Sequence, residues 1–266
     1  MIKVSDSTSL GGHLHPARPI HQLTNSDLIL LLDHTYLLPV EAFSSTGNAL
    51  SHRRKEISEF LASVNVGMHS PYALCVRVED VSHARNAVPD SVRIVAVAGF
   101  PDGPWTSTAQ KVMETGVAFD QGANEVDMVF NYRAWSAGDT EEALHDVGEV
   151  LQTVRKYGGI LKVILEVSEL SFEEMASACR ALDTLGVDFV KTSSGFSKGG
   201  ATPEAVAVLR KNFSRGIKLS GGVDRSNLFS LLQELAENDC INLDPSQLRI
   251  GSSKLFTQLK QEMQTV

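Results

Sequence analysis

Three lysines and three carboxylates lie on or beside short apolar runs of this chain. They are Lys162, Lys191 and Lys218, with Asp33, Asp127 and Glu166. A lysine is seldom buried without a partner, so one such lysine is ordinarily a strand-end side chain that reaches solvent. Three on successive runs, each next to an apolar residue, instead predict charges that face one another inside the fold, because unpaired buried ions are costly.

Two neighbouring lysines suggest amine chemistry. A lysine with an ordinary pKa of ~10.4 is neutral in only roughly 4 molecules per 10,000 at pH 7, and only the neutral amine attacks a carbonyl. Two ammonium groups ~4 Å apart at an effective dielectric of ~20 repel by ~4 kcal/mol, which favours the loss of one proton. We therefore predict Lys191 as the amine that forms a Schiff base and Lys218 as the neighbour that activates it, with Lys162 as a second candidate neighbour.

Asp127 is the candidate for proton transfer. In a strand it shares a face with Glu125 and Val129, and a carboxylate linked to an ammonium or a water can move protons on oxygen and carbon. A structural ion pair with Lys162 or Lys218 is the alternative, and the two roles are compatible.

Glycine and serine motifs end two of the apolar runs. SGG occupies 220–222 and GSS occupies 251–253, where barrels often bind phosphate on backbone amides. Gly195, which follows two serines, is a third candidate, and Ser252 and Ser253 could add hydroxyl donors. Each motif alone is more simply a turn, but the pair together predicts a phosphate site.

The elements that would position these residues are β-rich runs that alternate with helical stretches. The runs span 31–35, 73–77, 92–100, 125–130, 161–167, 188–194, 217–222 and 248–253. This pattern predicts parallel strands with right-handed crossovers, and eight strands can close a barrel. An open doubly wound sheet is the rival, although no GxGxxG follows the first run. We predict a single-domain (β/α)8 TIM barrel over 26–266, after a poorly ordered N-terminal arm over 1–25.

Helix ends can also be identified. Asp139, Ser171 and Thr202 are predicted N-caps, and Glu174 would complete a capping box with Ser171. The segment 40–72 is the least regular stretch and could hold an extra helix or loop.

Composition excludes several classes of protein. A net charge of -8 and a pI near 5.5 argue against nucleic-acid and anionic-membrane partners. Cys75, Cys179 and Cys240 form no CxxC pair, so neither a disulfide framework nor a zinc knuckle is expected. No HExxH motif and no apolar run of membrane-spanning length occurs, and residues 1–22 contain no apolar core of the kind that a signal peptide has. We expect a cytoplasmic protein without a metal.

Together the motifs resemble the deoxyribose-phosphate aldolases from about residue 26 to residue 256. The matching stretches are LDHT (32–35), GFPDG (99–103), NEVDMVFNYRA (124–134), LKVILE (161–166), VKTSSGF (190–196), GGAT (199–202), KLSGG (218–222) and RIGSS (249–253). The resemblance implies a class I aldolase that reversibly cleaves 2-deoxy-D-ribose 5-phosphate to D-glyceraldehyde 3-phosphate and acetaldehyde. It also implies a homodimer that needs neither metal nor organic cofactor.

The resemblance assigns roles to individual residues. It makes Lys191 the Schiff-base lysine, Lys218 the activating lysine and Asp127 the proton relay, with Lys162 and Asp33 completing the catalytic set. The implied substrate and phosphate contacts are Cys75, Thr192, Ser194, Gly195, Gly221, Gly222, Ser252 and Ser253. This chain departs from the family pattern at Ser194, usually threonine, at Leu219, usually smaller or cyclic, and at its end, QEMQTV, where some members have a tyrosine tail.

Other interpretations remain open at this stage. One is a Schiff-base barrel aldolase for another phosphorylated aldehyde or keto acid, which a product assay for acetaldehyde would separate. Another is a catalytically inactive phosphate-binding barrel, whose ligand binding would survive Lys191→Ala. Cys75 could be a buried structural thiol, and His34 is expected to pack or hydrogen-bond rather than bind a metal.

Overall fold

Short runs that are apolar on both faces form the strands of a closed parallel barrel. The computed structural model describes residues 17–64 and 69–264. The strands follow one another round the barrel in chain order, and the last pairs with the first. They are β1 (Leu32–Tyr36), β2 (Ala73–Val76), β3 (Arg93–Ala98), β4 (Glu125–Val129), β5 (Ile160–Ile164), β6 (Phe189–Lys191), β7 (Gly216–Leu219) and β8 (Leu248–Ser252). The predicted (β/α)8 barrel is confirmed, and the sheet is not open.

Helices surround this barrel. They are α1 (Asn25–Ile29), α2 (Ala49–Val64), α3 (Val81–Ala87), α4 (Thr108–Asp120), α5 (Tyr132–Ser136), α6 (Thr140–Lys156), α7 (Phe172–Leu185), α8 (Pro203–Asn212), α9 (Leu228–Gln233) and α10 (Leu255–Gln264). Short 3-10 helices occupy Ile20–Gln22, Val40–Thr46, Val78–Asp80, Gly103–Trp105 and Val167–Glu169. The irregular segment 40–72 thus holds a 3-10 helix and all of α2. None of the described helices combines the length and the apolar character needed to cross a membrane.

The predicted helix caps are confirmed. The Asp139 side chain accepts from the backbone N–H of Glu142 at the start of α6. Ser171 and Glu174 form a capping box at α7, and Thr202 caps α8. Each cap satisfies a backbone donor that the helix leaves free, worth about 1 kcal/mol.

The described part of the N-terminal arm packs at one end of the barrel. Residues 1–16 lie outside the described residues. Arg18–Pro19 pairs antiparallel with Cys240–Ile241, and Arg18 forms an ion pair with Asp27 at 3.0 Å. Residues 17–25 therefore have defined contacts. The division of the chain into an arm over 1–25 and a barrel domain over 26–266 stays a prediction.

Strand register sets which charged residues become neighbours. Asp127 on β4 pairs with Lys162 on β5, and Lys191 on β6 pairs with Lys218 on β7. Paired residues on adjacent strands point to the same side of the sheet, so these side chains share the barrel interior. A small apolar cluster that includes Cys75 fills the rest of that interior, and the large apolar core lies mainly between barrel and helices.

Candidate active site

A group of charged side chains is buried inside the barrel. Among the described residues it comprises Asp33, Glu125, Asp127, Lys162, Lys191, Lys218 and Arg249, and we call it the interior charge cluster. When all its lysines are protonated, it carries four positive and three negative charges. Two further charges adjoin this cluster, because buried Glu166 interacts with Lys191 and the partly exposed Arg93 pairs with Glu125.

Asp127 lies at the centre of this cluster. Its Oδ2 accepts hydrogen bonds from Lys191 at 2.9 Å and from Lys218 at 2.7 Å, and its Oδ1 accepts from Lys162 at 3.0 Å. Burial by itself would raise the pKa of Asp127, but the three ammonium groups outweigh it and hold that pKa well below its usual range. Asp127 is therefore ionised at neutral pH and binds the two lysines of interest through one oxygen.

Lys218 is held between two carboxylates. Besides Asp127, its Nζ lies 2.6 Å from Oδ2 of Asp33. Burial lowers the pKa of Lys218, but Asp127 and Asp33 raise it by more, so the net pKa lies above the ordinary value. Lys218 thus stays an ammonium group beside Lys191.

Arg249 and Glu125 form the floor of the cluster, and we assigned them no role from the sequence. Arg249 donates to Asp33 at 2.7 and 2.5 Å and to Glu125 at 3.3 Å, and its guanidinium lies 4.0 Å from the ring centre of Tyr72. Glu125 also pairs with Lys162. For Arg249 the available signal was its position between two apolar residues, Leu248 and Ile250, and for Glu125 it was the strand face shared with Asp127. Within the described ranges, no three histidine, cysteine, aspartate or glutamate side chains are grouped as metal ligands.

A cavity of about 480 Å³ opens above the cluster at the C-terminal ends of the strands. The predicted site residues that line it are Lys191, Ser194, Gly195, Gly221, Gly222, Ser252 and Ser253. The others, Asp33, Cys75, Asp127, Lys162, Thr192 and Lys218, are buried and lie outside its lining. Of the three predicted lysines, Lys191 is therefore the one that the cavity reaches. Another cavity, of about 510 Å³, is lined by Ile217 and Leu248 at the opposite ends of β7 and β8 and by none of these residues.

One end of the cavity presents unused backbone donors. The N–H groups of Gly195, Gly221, Gly222 and Ser253 donate no hydrogen bond to another described residue. The three glycines have φ values of 86°, 86° and 74°, which side chains other than glycine rarely adopt. Converging N–H groups in such loops form an anion-binding concavity, so we call these four residues the amide cradle.

Two of the predicted hydroxyl contacts are used within the protein. Thr192 donates to the Ser220 carbonyl at 2.7 Å and accepts from the Ser220 N–H at 2.8 Å. Ser252 donates to the Val223 carbonyl at 2.7 Å and accepts from the Leu255 N–H at the start of α10. These hydroxyls hold the loops of the cradle in place, and their contact with a substrate stays a prediction.

Glu166 supports the loop that carries Gly195. Its carboxylate accepts from the Ser194 N–H at 3.2 Å, and its own φ of 56° is unusual for a residue with a side chain. Burial raises the pKa of Glu166, although hydrogen bonds from Ser194 act in the opposite direction. Glu166 thus fixes the strand end next to Lys191.

Two neighbouring groups are neutral. Burial raises the pKa of the Cys75 thiol, whose Sγ lies 3.9 Å from Oδ2 of Asp127. Burial also lowers the pKa of His34 to about 4, and its ring packs 4.5 Å from Phe60 and 4.9 Å from Phe256. His34 is a packing residue, as predicted.

Comparison with known proteins finds aldolases similar to this chain in sequence and in structure. The model of the family described as DeoC/LacD family aldolase matches residues 47–238. A deoxyribose-phosphate aldolase of Thermoanaerobacter sp. (strain X514) is 39% identical over 199 residues, which are 73% of this chain and 82% of the relative. The solved structure of QR15, an aldolase, is 28% identical with a TM-score of 0.73, and the match covers 90% of this chain and 99% of that one. The tetrameric deoxyribose phosphate aldolase of Aeropyrum pernix is 22% identical with a TM-score of 0.65, covers 93% and 96% of the two chains, and supports the fold alone. The chain belongs to the DeoC/LacD family of aldolases.

Proposed function

We propose that this aldolase reversibly cleaves 2-deoxy-D-ribose 5-phosphate to D-glyceraldehyde 3-phosphate and acetaldehyde through a Schiff base on Lys191. The observation that carries the proposal is the position of Lys191, which lines the cavity while its Nζ shares Oδ2 of Asp127 with the Nζ of Lys218. The neutral amine of Lys191 would be the nucleophile, at the place that a substrate can reach. The name of the Thermoanaerobacter relative supports the choice of substrate.

The reaction would begin with attack of the neutral Lys191 amine on the C1 aldehyde of the open-chain sugar. The carbinolamine loses water to give an iminium ion, which restores one positive charge beside Asp127, 2.9 Å from Nζ in the free enzyme. Removal of the C3 hydroxyl proton then breaks the C2–C3 bond and releases D-glyceraldehyde 3-phosphate. The remaining enamine takes a proton on C2, and water hydrolyses the imine to acetaldehyde and free Lys191.

Asp127 and Lys218 would act on the protons of this sequence. They are hydrogen-bonded at 2.7 Å, so a proton can pass between an ammonium group and the reacting oxygen through the shared Oδ2. Lys162 and Asp33 would position them, because Lys162 binds the other oxygen of Asp127 and Asp33 binds Lys218. The Cys75 thiol would remain a neutral neighbour.

The amide cradle would bind the phosphate of the substrate. A phosphate accepts several hydrogen bonds, and its charge suits backbone N–H groups that have no other partner. The cradle and Lys191 line the same cavity of about 480 Å³, so one sugar phosphate can reach both.

Borohydride trapping tests the proposed function. The protein is reduced in the presence of acetaldehyde or 2-deoxy-D-ribose 5-phosphate, and the adduct is located by peptide mass mapping. The expected adduct lies on Lys191, and Lys191→Met should abolish it. Lys198→Met is the matched control, because Lys198 is an exposed lysine that pairs with Glu169 outside the cavity lining. Absence of an adduct during turnover would refute the Schiff-base mechanism, and trapping without acetaldehyde production from the sugar would refute the substrate.

We also propose a cytoplasmic homodimer. Described cysteines Cys75 and Cys179 are buried free thiols, which suits a reducing compartment. Exposed apolar side chains such as Met113 and Val117 on α4 offer a surface that a second copy could cover. Light scattering coupled to size-exclusion chromatography would distinguish a dimer from a monomer or a tetramer.

A further inference from the structure

Two charged residues flank the amide cradle and have no part in the proposed chemistry at Lys191. Lys254 follows Ser253 and precedes α10, and Asp224 lies in the loop after β7. Both line the cavity that contains Lys191. They therefore contribute charge where the phosphate would bind.

Lys254 is available to an anion. Its side chain is exposed, and its ammonium forms no ion pair with any residue that the structure describes. Its backbone N–H is already used, because it donates to the hydroxyl of Ser252 at 3.3 Å. The ammonium group is thus the part of Lys254 that can meet a ligand.

Asp224 is a fixed negative charge on the same rim. Its Oδ1 accepts from the N–H of Ser226 at 2.8 Å and from the Ser226 hydroxyl at 2.5 Å. These bonds hold the carboxylate in the turn after β7. An anion in the cradle therefore meets one attracting and one repelling side chain.

We propose that Lys254 and Asp224 set how strongly the enzyme prefers a phosphorylated substrate over an unphosphorylated one, Lys254 by attracting the phosphate and Asp224 by opposing it. This inference rests on the proposed function. The hydrogen bonds from the amide cradle come from the backbone and are the same whatever side chains stand at 224 and 254. The charges of Lys254 and Asp224 therefore determine the electrostatic part of phosphate recognition. Both charges are near solvent, so each effect is moderate and weakens as salt is added.

The test compares two substrates in two variants. The values of kcat/KM are measured for 2-deoxy-D-ribose 5-phosphate and for 2-deoxy-D-ribose, at low and at high salt. Lys254→Met should lower the ratio of the two values about fivefold, as expected for an exposed charge pair. Asp224→Asn, which keeps the oxygen that Ser226 needs, should raise the ratio. Both changes should shrink at high salt, and Lys198→Met is the control that should leave the ratio unchanged.

Binding of inorganic phosphate gives a second measurement. By isothermal titration calorimetry, Lys254→Met should bind phosphate more weakly and Asp224→Asn more tightly than the unaltered protein. Ratios and affinities that stay unchanged, or both variants moving in one direction, would overturn the inference. If the unaltered protein does not cleave 2-deoxy-D-ribose 5-phosphate, the proposed function fails. If it cleaves the sugar and Lys254→Met behaves identically, the rim inference alone fails.

Discussion

Replacing Lys218 by methionine should remove the electrostatic activation of Lys191. The ammonium groups of Lys191 and Lys218 both donate to Oδ2 of Asp127, at 2.9 and 2.7 Å, so they lie close together in the barrel interior. If the two ammonium groups lie roughly 4 Å apart at an effective dielectric of ~20, their repulsion is about 4 kcal/mol. Its removal would lower the fraction of neutral Lys191 by about a thousandfold.

The assay is the pH dependence of kcat/KM for the aldol cleavage. At pH 7 the Lys218→Met variant should be about a thousandfold less active, and its activity should rise about tenfold for each unit of pH above that. If the variant has a lower kcat/KM at every pH but its pH profile is not shifted, the reasoning is refuted, because Lys218 would then serve as a structural ion-pair partner.

Lys162→Met is the matched control for the loss of a buried cation. Lys162 also binds Asp127, at 3.0 Å, but it pairs in the barrel with Phe189, two residues before Lys191. It therefore lies about one layer deeper, and its removal should shift the profile less, since the repulsion falls with distance. Thermal unfolding of both variants should show a comparable loss of stability, of order 3 kcal/mol, since each leaves buried carboxylates with fewer partners. An equal shift in the two variants would mean that net charge matters and position does not.

Three further predictions concern neighbouring residues. Burial lowers the pKa of His34 from 6.5 to about 4, so as the pH falls this histidine is protonated in the unfolded chain before it is protonated in the folded protein. The free energy of unfolding should therefore decrease by about 3 kcal/mol between pH 6.5 and pH 4. Urea unfolding of His34→Phe at both pH values should lack that loss, and an unchanged pH dependence would contradict the assignment. Asp127→Asn should lower kcat by about 10²-fold or more, with a smaller change in KM, in steady-state kinetics; a loss of affinity alone would indicate a structural ion pair. Gly200→Ala would place a Cβ 2.0 Å from the Gly221 carbonyl oxygen and should lower kcat/KM for the phosphorylated sugar, whereas Gly148→Ala, with no atom within 4 Å, should not.

The sequence by itself determined the barrel and most of the interior charges. Each strand is short, apolar on both sides and separated from the next by a helix, so the local pattern was enough to count the strands. A lysine or aspartate within an apolar strand can face only the barrel interior or the helices, which is why Lys191, Lys218 and Asp127 could be predicted as site residues. Arg249 follows the same rule, between Leu248 and Ile250, and could have been named with them.

Other features depended on loops and could not be predicted in this way. Lys254 and Asp224 are polar residues in connecting segments, where a charged side chain is ordinarily a solvated one. Thr192 and Ser252 look like free hydroxyls in the sequence, yet both bond to backbone atoms of a neighbouring loop. Loops that contact each other are far apart in the sequence, so the local sequence around either loop does not predict the contact.

The tertiary structure decided the depth of each charge and its partners. Strand periodicity tells which side of the sheet a residue faces, but the relative shift of neighbouring strands sets its height in the barrel. That shift places Lys191 beside Lys218 and puts Lys162 deeper in the barrel. Only the closed barrel brings these seven charged side chains from six strands into one low-dielectric space. In that space the attraction and repulsion among the charges determine which lysine can act as the nucleophile.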